Sequence, residues 1–310
     1  MQKMNVENRT EVTEFLLLGF PDLNGFKIHV FLLILILYSM TLVGNALIIS
    51  VVSTSPQLFS PMYFFLGNLS ISDIMLTSNI VPLMLYVIWK ESGTISLVCC
   101  ILQFYIYACA GSAECLLLTV MSYDRYLAIC CPLRYSSLMD CRLRLRLVTW
   151  SWILSWTIPV ISVVMISRLQ FCDSNIIDHF FCDLAPLLSI ACSDIASVEL
   201  EALLASTFLF LSPFVFITVT YICISLCILK IPTTNGRHKA FLTCSSHLTV
   251  VCMFYGTMIS LYMVPTTGHS PAVTKSLSLL YAVVTPFLNP IIYTLRNTEI
   301  RTALRKWSKP

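Results

Sequence analysis

The sequence predicts an all-α membrane protein, a seven-transmembrane helix bundle with its N-terminus outside and a short amphipathic helix after the seventh span. Charged residues make up 11% of the 310 residues and hydrophobic residues 57%, whereas soluble domains are about 25% charged. The chain also contains seven apolar segments that each exceed the ~20 residues needed to cross a bilayer. They lie at about 26–53, 59–88, 97–130, 142–167, 197–230, 240–264 and 271–295.

All seven segments should be α-helical, because a helix satisfies its own backbone hydrogen bonds in lipid. The second gives the weakest signal of a span, because polar residues such as Asn68, Asp73 and Asn79 interrupt it. Between the apolar segments no stretch reaches the ~50 residues of a minimal independent domain. This excludes kinases, nucleotide-driven pumps and receptors with a folded extracellular head.

The orientation follows from the basic residues, which concentrate in the connections after the third, fifth and seventh segments. Acidic residues concentrate on the opposite side. The basic side should be cytoplasmic, so we expect an extracellular tail over 1–25, a seven-helix domain over 26–295 and a cytoplasmic tail over 296–310. The polar tail has no signal-peptide pattern, so the first helix should act as signal anchor. Asn8-Arg9-Thr10 is a glycosylation sequon.

The residues after Arg296 have an amphipathic pattern. Ile300, Ala303, Leu304 and Trp307 recur at helical spacing, with basic residues between them. This pattern predicts a short helix on the membrane surface. Together with Arg125, Arg134, Arg142 and Lys239, the tail forms a basic inner surface suited to anionic lipid. The net charge of +3 is too small to indicate nucleic acid.

Fourteen cysteines do not form a disulfide scaffold, because most lie in spans, where cysteine serves as a small apolar residue. Cys172, Cys182 and Cys192 lie in the longest outer loop, and Cys99 and Cys100 begin the third span. The three loop cysteines and one of the pair Cys99 and Cys100 make four, and four cysteines in an oxidising compartment allow three connectivities, which spacing does not separate. A metal site that uses His179 beside these thiols is the less favoured alternative.

Two acids, Asp73 and Glu114, lie at membrane depth, where ionisable groups are costly and usually functional. Two carboxylates that face one bundle interior repel each other, and a shared cation or proton would relieve the repulsion. Asn45 and Asn289 lie at similar depth and could complete the site. No cofactor other than a sodium ion is expected here, and the alternative is two independent structural acids.

The polar motifs occur in a characteristic order along the whole chain. They are Gly44-Asn45, Pro61–Ser70 leading to Asp73, Met121–Cys130 with Asp124-Arg125-Tyr126, Pro132–Tyr135, Lys239–His247, Phe254–Gly256 and Pro286–Tyr293. In this order the chain resembles the olfactory receptors, a family of rhodopsin-like G-protein-coupled receptors, and in particular their tetrapod-type (class II) branch. Ser122, Thr220 and Leu242 depart from the usual pattern without removing a group that the mechanism needs.

The resemblance implies roles for these residues. It implies disulfides Cys100–Cys182 and Cys172–Cys192, although glycine is common where this chain has Cys99. It makes Asp73 and Glu114 a buried acidic pair and Arg125 an inner latch near the G-protein cavity. The implied activation residues are Asp124, Arg125, Tyr126, Tyr221, Lys239, His247, Asn289, Pro290 and Tyr293. The implied partner is a stimulatory, olfactory-type heterotrimeric G protein that raises cAMP, and the implied location is the plasma membrane of olfactory cilia.

The family binds ligands among the third, fifth, sixth and seventh spans. Helical spacing predicts which residues of these spans share one face and could line that site. These walls are apolar with a few hydroxyls, as a small-molecule pocket requires, and a charged ligand would lack a counter-ion there. We therefore expect the ligand to be a small, neutral, volatile and hydrophobic odorant. We expect Lys275, the basic residue of the seventh span, to lie at the surface and outside this site. The expected ligand-binding residues are Phe104, Tyr107, Ala108, Gly111, Ser112, Ala202, Ser206, Leu209, Tyr255, Met258, Ile259, Tyr262, Leu279, Ala282 and Val283.

Other functions are less consistent with the sequence. A transporter or channel would favour internal repeats or a polar path through the membrane, and the acidic pair does not continue outward. An enzyme needs a catalytic constellation, and neither His-Glu-x-x-His nor Gly-x-Ser-x-Gly occurs. Within the receptor class, the alternative is a non-olfactory receptor for another small lipophilic ligand.

Overall fold

A computed structural model describes residues 12–20, 23–55, 58–172, 175–262, 271–296 and 298–307. Within these ranges, seven helical segments are long and apolar enough to cross a membrane. The prediction of a multi-pass helical membrane protein is therefore confirmed. The sequon at Asn8 lies outside the described residues.

The helices follow the predicted order, and several spans are built from more than one segment. The first three spans are α1 (Lys27–Thr54), α2 (Pro61–Lys90) and α3 (Leu97–Cys130). After α4 (Pro132–Leu138), the fourth span consists of α5 (Cys141–Thr157) and α6 (Pro159–Ile166), and α7 (Leu184–Ser189) follows in the next loop. The fifth span is α8 (Ala196–Ser206), a π-helical turn (Thr207–Leu211) and α9 (Ser212–Leu229). The sixth is α10 (Thr234–Tyr262), and the seventh is α11 (Pro271–Leu279), a π-helical turn (Leu280–Val284) and α12 (Thr285–Arg296).

The sixth span differs most from its predicted boundaries. Its helix begins at Thr234 rather than at residue 240, because helix geometry continues beyond the apolar stretch into a polar segment. Hydropathy marks where a span leaves the lipid, whereas the helix ends where its hydrogen bonds stop. The α5 and α6 segments meet at Pro159, which lacks a backbone N–H and begins the second of them.

A small β-sheet joins three distant segments at one end of the bundle. Strand β1 (Glu14–Leu17) pairs antiparallel with β2 (Gly93–Ser96) and parallel with β3 (Ile176–Ile177). Phe15 and Leu17 of β1 are completely buried. The segment predicted as a polar extracellular tail therefore contributes to a hydrophobic cluster. Its four residues are too few to register as an apolar segment, and their partners lie far along the chain.

Two disulfides close the loop at the same end, which we call the disulfide end. Cys100 of the third span is bonded to Cys182, and Cys172 to Cys192, with Cα–Cα distances of 5.4 and 6.0 Å. These are the pairs that the resemblance implies. Cys99 is free and exposed. Because the loop thiols are used in disulfides, they do not form a metal site with His179, and the described ranges contain no cluster of three or more metal-ligating residues.

The third span forms the centre of the bundle. In its most apolar window 72% of the residues are buried, against 22% for the first span. Beyond the seventh span, α13 (Thr298–Trp307) is the predicted amphipathic helix. It buries Ile300 and Ala303 and leaves Arg301 exposed, and Glu299 accepts a 2.7 Å hydrogen bond from the Tyr63 hydroxyl of the second span. The side chains of Leu304 and Trp307 lie outside the described part of the chain.

Candidate ligand and activation sites

The acidic pair lies in a buried polar layer near the middle of the bundle. Asn289 Nδ2 donates to both carboxylate oxygens of Asp73 at 3.1 Å, and the carboxyl group of Glu114 lies beside that of Asp73. Asn45 Nδ2 donates to the Pro286 carbonyl at 3.3 Å, one turn before Asn289. The sequence-predicted residues of the cation or proton site therefore come from four spans and converge.

Several oxygens of this layer are buried without a hydrogen-bond partner among the described residues. They are Asn45 Oδ1, Glu114 Oε1 and Asn289 Oδ1. A buried oxygen that lacks a donor costs free energy. Carboxylate and amide oxygens are also the ligands that hard cations prefer. The layer can therefore accept a cation, a proton or water.

Tyr281 lies in the middle of the predicted ligand walls, although it is not among the residues that helical spacing predicted. Its buried ring packs against Tyr107 and Phe254, with centroid distances of 5.9 and 5.8 Å. A Cβ atom at Gly111 would lie 2.8 Å from the Tyr281 hydroxyl. Tyr281 belongs to the π-helical turn of the seventh span. A π turn shifts the helical register, so spacing alone predicted Ala282 and Val283 as the wall and omitted Tyr281.

Most predicted ligand residues point into the bundle, but not all of them meet. The buried members are Phe104, Tyr107, Gly111, Ser112, Leu209, Tyr255, Met258, Ala282 and Val283, and the half-buried members are Ala108, Ala202, Ser206 and Leu279.

Three of the predicted ligand residues have contacts or exposure that helical spacing did not indicate. Phe104 packs in the disulfide-end cluster with Cys100 and Phe15, away from the main core. The Ser206 hydroxyl donates to the Leu203 carbonyl of its own helix at 3.0 Å. Ile259 is 40% exposed and lies on the outer surface of the bundle, which corrects its assignment to the wall. The side chain of Tyr262 lies outside the described residues.

A segment of the disulfide-tied loop covers the mouth of the bundle. Phe180 and Phe181 are buried, and the Phe181 ring lies 5.2 Å from that of Tyr107. His179 Nε2 lies 3.3 Å from the Ser278 hydroxyl. Burial, followed by the charge of Lys275, lowers the pKa of His179 to about 3, so the imidazole is neutral.

Lys275 is buried, which corrects the expectation that it lies at the surface. Its side chain is 5% exposed, and Nζ lies 2.5 Å from Asp178 Oδ1. The loop folds back over the seventh span and covers this lysine. Hydropathy could not indicate this contact, because the two residues are 97 positions apart.

Asp124 and Arg125 form the predicted ion pair at the opposite end, which we call the Arg125 end. Arg125 Nε lies 3.0 Å from Asp124 Oδ2, and the Tyr135 hydroxyl of α4 donates to Asp124 Oδ1 at 2.8 Å. Burial, followed by the charge of Asp124, raises the pKa of Tyr135. Tyr135 ends the Pro132–Tyr135 motif, but no sequence pattern indicates its contact with Asp124. Tyr126 is half-buried, and the side chain of Lys239 lies outside the described residues.

Tyr221 and His247 form a second contact at this end. The Tyr221 hydroxyl lies 2.7 Å from His247 Nδ1, and His247 Nε2 lies 3.2 Å from the Leu118 carbonyl oxygen. A carbonyl only accepts, so Nε2 carries the proton and Tyr221 donates to Nδ1. This arrangement links the third, fifth and sixth spans. Tyr293, another of the implied activation residues, is buried, and its hydroxyl has no partner in the described ranges.

Among the described residues, two apolar grooves lie on the outer surface of the bundle. One, of about 480 Å³, lies between the first and seventh spans, where a Cβ atom at Gly44 would lie 3.1 Å from the Pro290 ring. The other, of about 530 Å³, lies between the fifth and sixth spans and includes Tyr255 and Ile259.

The seven spans, the disulfide-tied loop and the Asp124–Arg125 pair define a receptor of the seven-helix, G-protein-coupled class. The family profile described as Olfactory receptor matches residues 34–308. The chain belongs to the olfactory receptor family, so it is a receptor of olfactory sensory transduction and not an enzyme.

Individual relatives cover nearly the whole chain. Olfactory receptor 11L1 from Homo sapiens is 44% identical over 98% of this chain and 94% of its own length. Olfactory receptor 6N1 from Homo sapiens is 43% identical over 99% of this chain and 98% of its own length. Olfactory receptor 1M1 from Mus musculus is 42% identical over 98% of this chain and 97% of its own length.

Proposed function

We propose that this receptor binds a small, neutral, hydrophobic odorant inside the helix bundle and activates a stimulatory heterotrimeric G protein, which raises cAMP. The observation that carries the proposal is the position of Tyr281. Its ring packs against that of the buried wall residue Tyr107, and its hydroxyl would lie 2.8 Å from a Cβ atom at Gly111. The same hydroxyl lies close to the carboxyl group of Glu114 in the acidic layer. A ligand that displaces Tyr281 would therefore act on both the walls and the acids.

The chemistry of the walls favours a neutral ligand. Met258, Ala282 and Val283 contribute buried apolar surface, and Tyr107 or Ser112 would orient the ligand through one hydrogen bond. Lys275 is already neutralised by Asp178. A ligand with a charged group would have to break that pair or enter an apolar site without a counter-ion.

Signal transmission would follow the contacts between Tyr281 and the Arg125 end. Asn289 joins Asp73 to the part of the seventh span that carries Pro290 and Tyr293. An odorant shifts the equilibrium only if it binds the two arrangements of these residues unequally. In the active arrangement, Tyr221 would leave His247 and approach Arg125, opening a surface for the G protein.

The acidic layer would hold a sodium ion or share a proton. Asp73, Glu114, Asn45 and Asn289 supply the oxygens, and the unpartnered ones among them are the observation that supports this role. We further propose that the Arg125 end faces the cytoplasm, that membrane lipid contacts the basic helix α13, and that the receptor resides in the plasma membrane of olfactory cilia.

Odorant-stimulated cAMP in cells tests this function. The full chain is expressed with and without the stimulatory G-protein α-subunit and exposed to a panel of neutral, acidic and amine odorants. We expect a cAMP rise with neutral hydrophobic odorants that requires the G protein. A current or flux that persists without the G protein would exclude the receptor mechanism, and amines or acids as the best agonists would exclude the proposed ligand class.

A further inference from the structure

The outward face of the fourth span carries two arginines in its first turns. Arg142 and Arg146 of α5 are exposed, and they share one face of the helix because side chains four positions apart overlie each other. Trp150 and Ile153 continue this face deeper into the span and are 55% and 44% exposed. We call these four residues the fourth-span stripe. The side chains that α5 buries lie on its opposite face, and they are Val148, Ser151 and Ser155.

The fourth-span stripe has the composition of a membrane interface. Arginines near the end of a membrane helix extend their guanidinium groups to the lipid headgroups. Tryptophan is enriched at the level where headgroups meet acyl chains, and Ile153 lies about one turn beyond Trp150. The stripe therefore runs from the headgroups of one leaflet into its acyl chains.

The two arginines of the stripe lack a counter-ion in the described part of the protein. Residues 132–157 contain four arginines but a single acidic residue, Asp140, whose carboxylate caps the first turn of α5. None of the ion pairs among the described residues includes Arg142 or Arg146. Arg144, by contrast, donates through Nη1 to a backbone carbonyl of the loop after the first span at 3.1 Å. The charge of the stripe is therefore available to an anion outside the chain.

Two guanidinium groups one turn apart favour a headgroup with more than one phosphate. A guanidinium donates two parallel hydrogen bonds to a single phosphate group, and residues four apart on a helix have Cβ atoms about 6 Å apart. Two such groups can therefore hold two phosphates of one molecule. A polyphosphoinositide carries several phosphates on one inositol ring. Phosphatidylserine carries only one phosphate, and phosphatidylcholine has no net charge.

We propose that Arg142 and Arg146 bind the headgroup of a polyphosphoinositide, whose acyl chains lie along Trp150 and Ile153. This narrows the basic inner surface to one site and one class of lipid. The proposal rests on the proposed function only for the orientation that places the Arg125 end, and with it the first turns of α5, at the cytoplasmic leaflet, where anionic lipids concentrate. The bound lipid would contact the helix that follows α4, whose Tyr135 holds Asp124.

Native mass spectrometry tests the site directly. The purified full-length receptor in detergent is mixed with equal amounts of phosphatidylinositol bisphosphate, phosphatidylserine and phosphatidylcholine, and the bound lipids are identified by mass. We expect the bisphosphate lipid to be retained in preference to phosphatidylserine, and phosphatidylcholine least. Equal retention of the two anionic lipids would mean that the arginines contact headgroups without selecting one, and it would overturn the proposal.

Paired charge substitutions locate the site. Arg142→Gln with Arg146→Gln should weaken binding of the bisphosphate lipid about 25-fold, since each basic residue near an anionic lipid surface contributes about fivefold. Lys90→Gln with Arg168→Gln is the matched control, because it removes the same charge from exposed residues at the disulfide end. It should bind like the unaltered receptor. Equal losses in the two double variants would mean that net charge alone governs binding, which would overturn the site.

A second pair separates the fourth span from α13. Arg301→Gln with Lys306→Gln removes two exposed charges from that helix and should leave most of the preference for the bisphosphate lipid. If this pair abolishes the preference and the fourth-span pair does not, the lipid binds α13 and the proposal is wrong.

Free inositol trisphosphate tests the role of the apolar half of the stripe. It offers the phosphates without acyl chains, so it should displace the bisphosphate lipid only weakly. Displacement as strong as that by an equal amount of the lipid would show that no acyl chain lies along Trp150 and Ile153. None of these measurements uses an odorant, a G protein or cAMP, so failure of the lipid site and failure of the proposed signalling are distinguishable.

Discussion

Lys275 of the seventh span donates to Asp178 of the disulfide-tied loop, with 2.5 Å between Nζ and Oδ1. The lysine side chain is 5% exposed and the aspartate side chain 47% exposed. The buried lysine therefore needs its counter-ion more than the aspartate does, because water can solvate only the aspartate. The pair fastens the loop across the mouth of the bundle, above the residues that carry the proposed odorant site.

The difference in exposure between Lys275 and Asp178 predicts that substituting each partner lowers the stability by a different amount. Asp178→Asn leaves a buried cation unpaired and should lower the free energy of unfolding by about 2 kcal/mol, less than a fully buried pair because water reaches the aspartate. Lys275→Met leaves an exposed carboxylate and should cost less. Thermal unfolding of the purified receptor measures both, and the double variant should recover most of the loss. Equal losses in the single variants would contradict the inferred burial.

The neutral, buried His179 predicts acid sensitivity at the disulfide end. Its pKa is lowered from 6.5 to about 3. Between these two pH values His179 is therefore protonated in the unfolded chain and neutral in the folded chain. Stability should therefore fall as the pH drops from 6.5 toward 3, by about 1.4 kcal/mol per unit. Thermal unfolding between about pH 7.5 and 4.5 measures the slope. His179→Gln should reduce it, while His238→Gln, which removes an exposed histidine, should not.

The disulfide between Cys100 and Cys182 should be essential for surface expression, because it ties the loop and its buried phenylalanines to the third span. Cys100→Ser should abolish surface staining of a tagged receptor in cells. Cys99→Ser is the matched control, since the neighbouring thiol is free and exposed, and it should reach normal levels. Normal expression of Cys100→Ser would show that Cys99 can replace its neighbour.

Tyr135 should restrain basal activity through its hydrogen bond to Asp124. Tyr135→Phe removes only the hydroxyl, so Asp124 holds Arg125 less firmly. A hydrogen bond worth about 1 kcal/mol corresponds to about a fivefold shift toward the active arrangement. Basal cAMP, normalised to surface expression, measures the effect. Unchanged basal cAMP would mean that Tyr135 does not stabilise the inactive pair.

Glu114→Gln tests the shared cation or proton. The substitution removes one ionisable carboxyl group from the layer and nearly preserves its shape. If Asp73 and Glu114 share one ion, the variant should change basal activity and reduce its dependence on sodium or on pH. The measurement is basal cAMP in membranes titrated with sodium and, separately, with pH. Identical titrations of variant and parent would leave two independent structural acids.

The sequence alone determined the architecture, because lipid imposes a simple rule on each span. Every membrane helix needs an apolar length that can be counted without knowing its neighbours. The family resemblance implied the disulfide pairs, and the depth of polar residues within the spans indicated the members of the acidic layer. In the structure Asn289 contacts Asp73, and Cys100 is bonded to Cys182.

The tertiary structure decided the features that depend on long-range contacts or on a local change of helical period. Phe15 looked like part of a polar tail, yet pairing of its strand with residues 93–96 buries it. Tyr281 faces the centre of the bundle because it lies in a π-helical turn. Hydrophobic periodicity does not reveal such a turn. Lys275 is buried because a loop distant in the sequence supplies both its cover and its counter-ion. For Phe15 and Lys275 the decisive partner lies outside the window of residues from which a sequence pattern is read, whereas for Tyr281 the helical period that the pattern assumes changes locally.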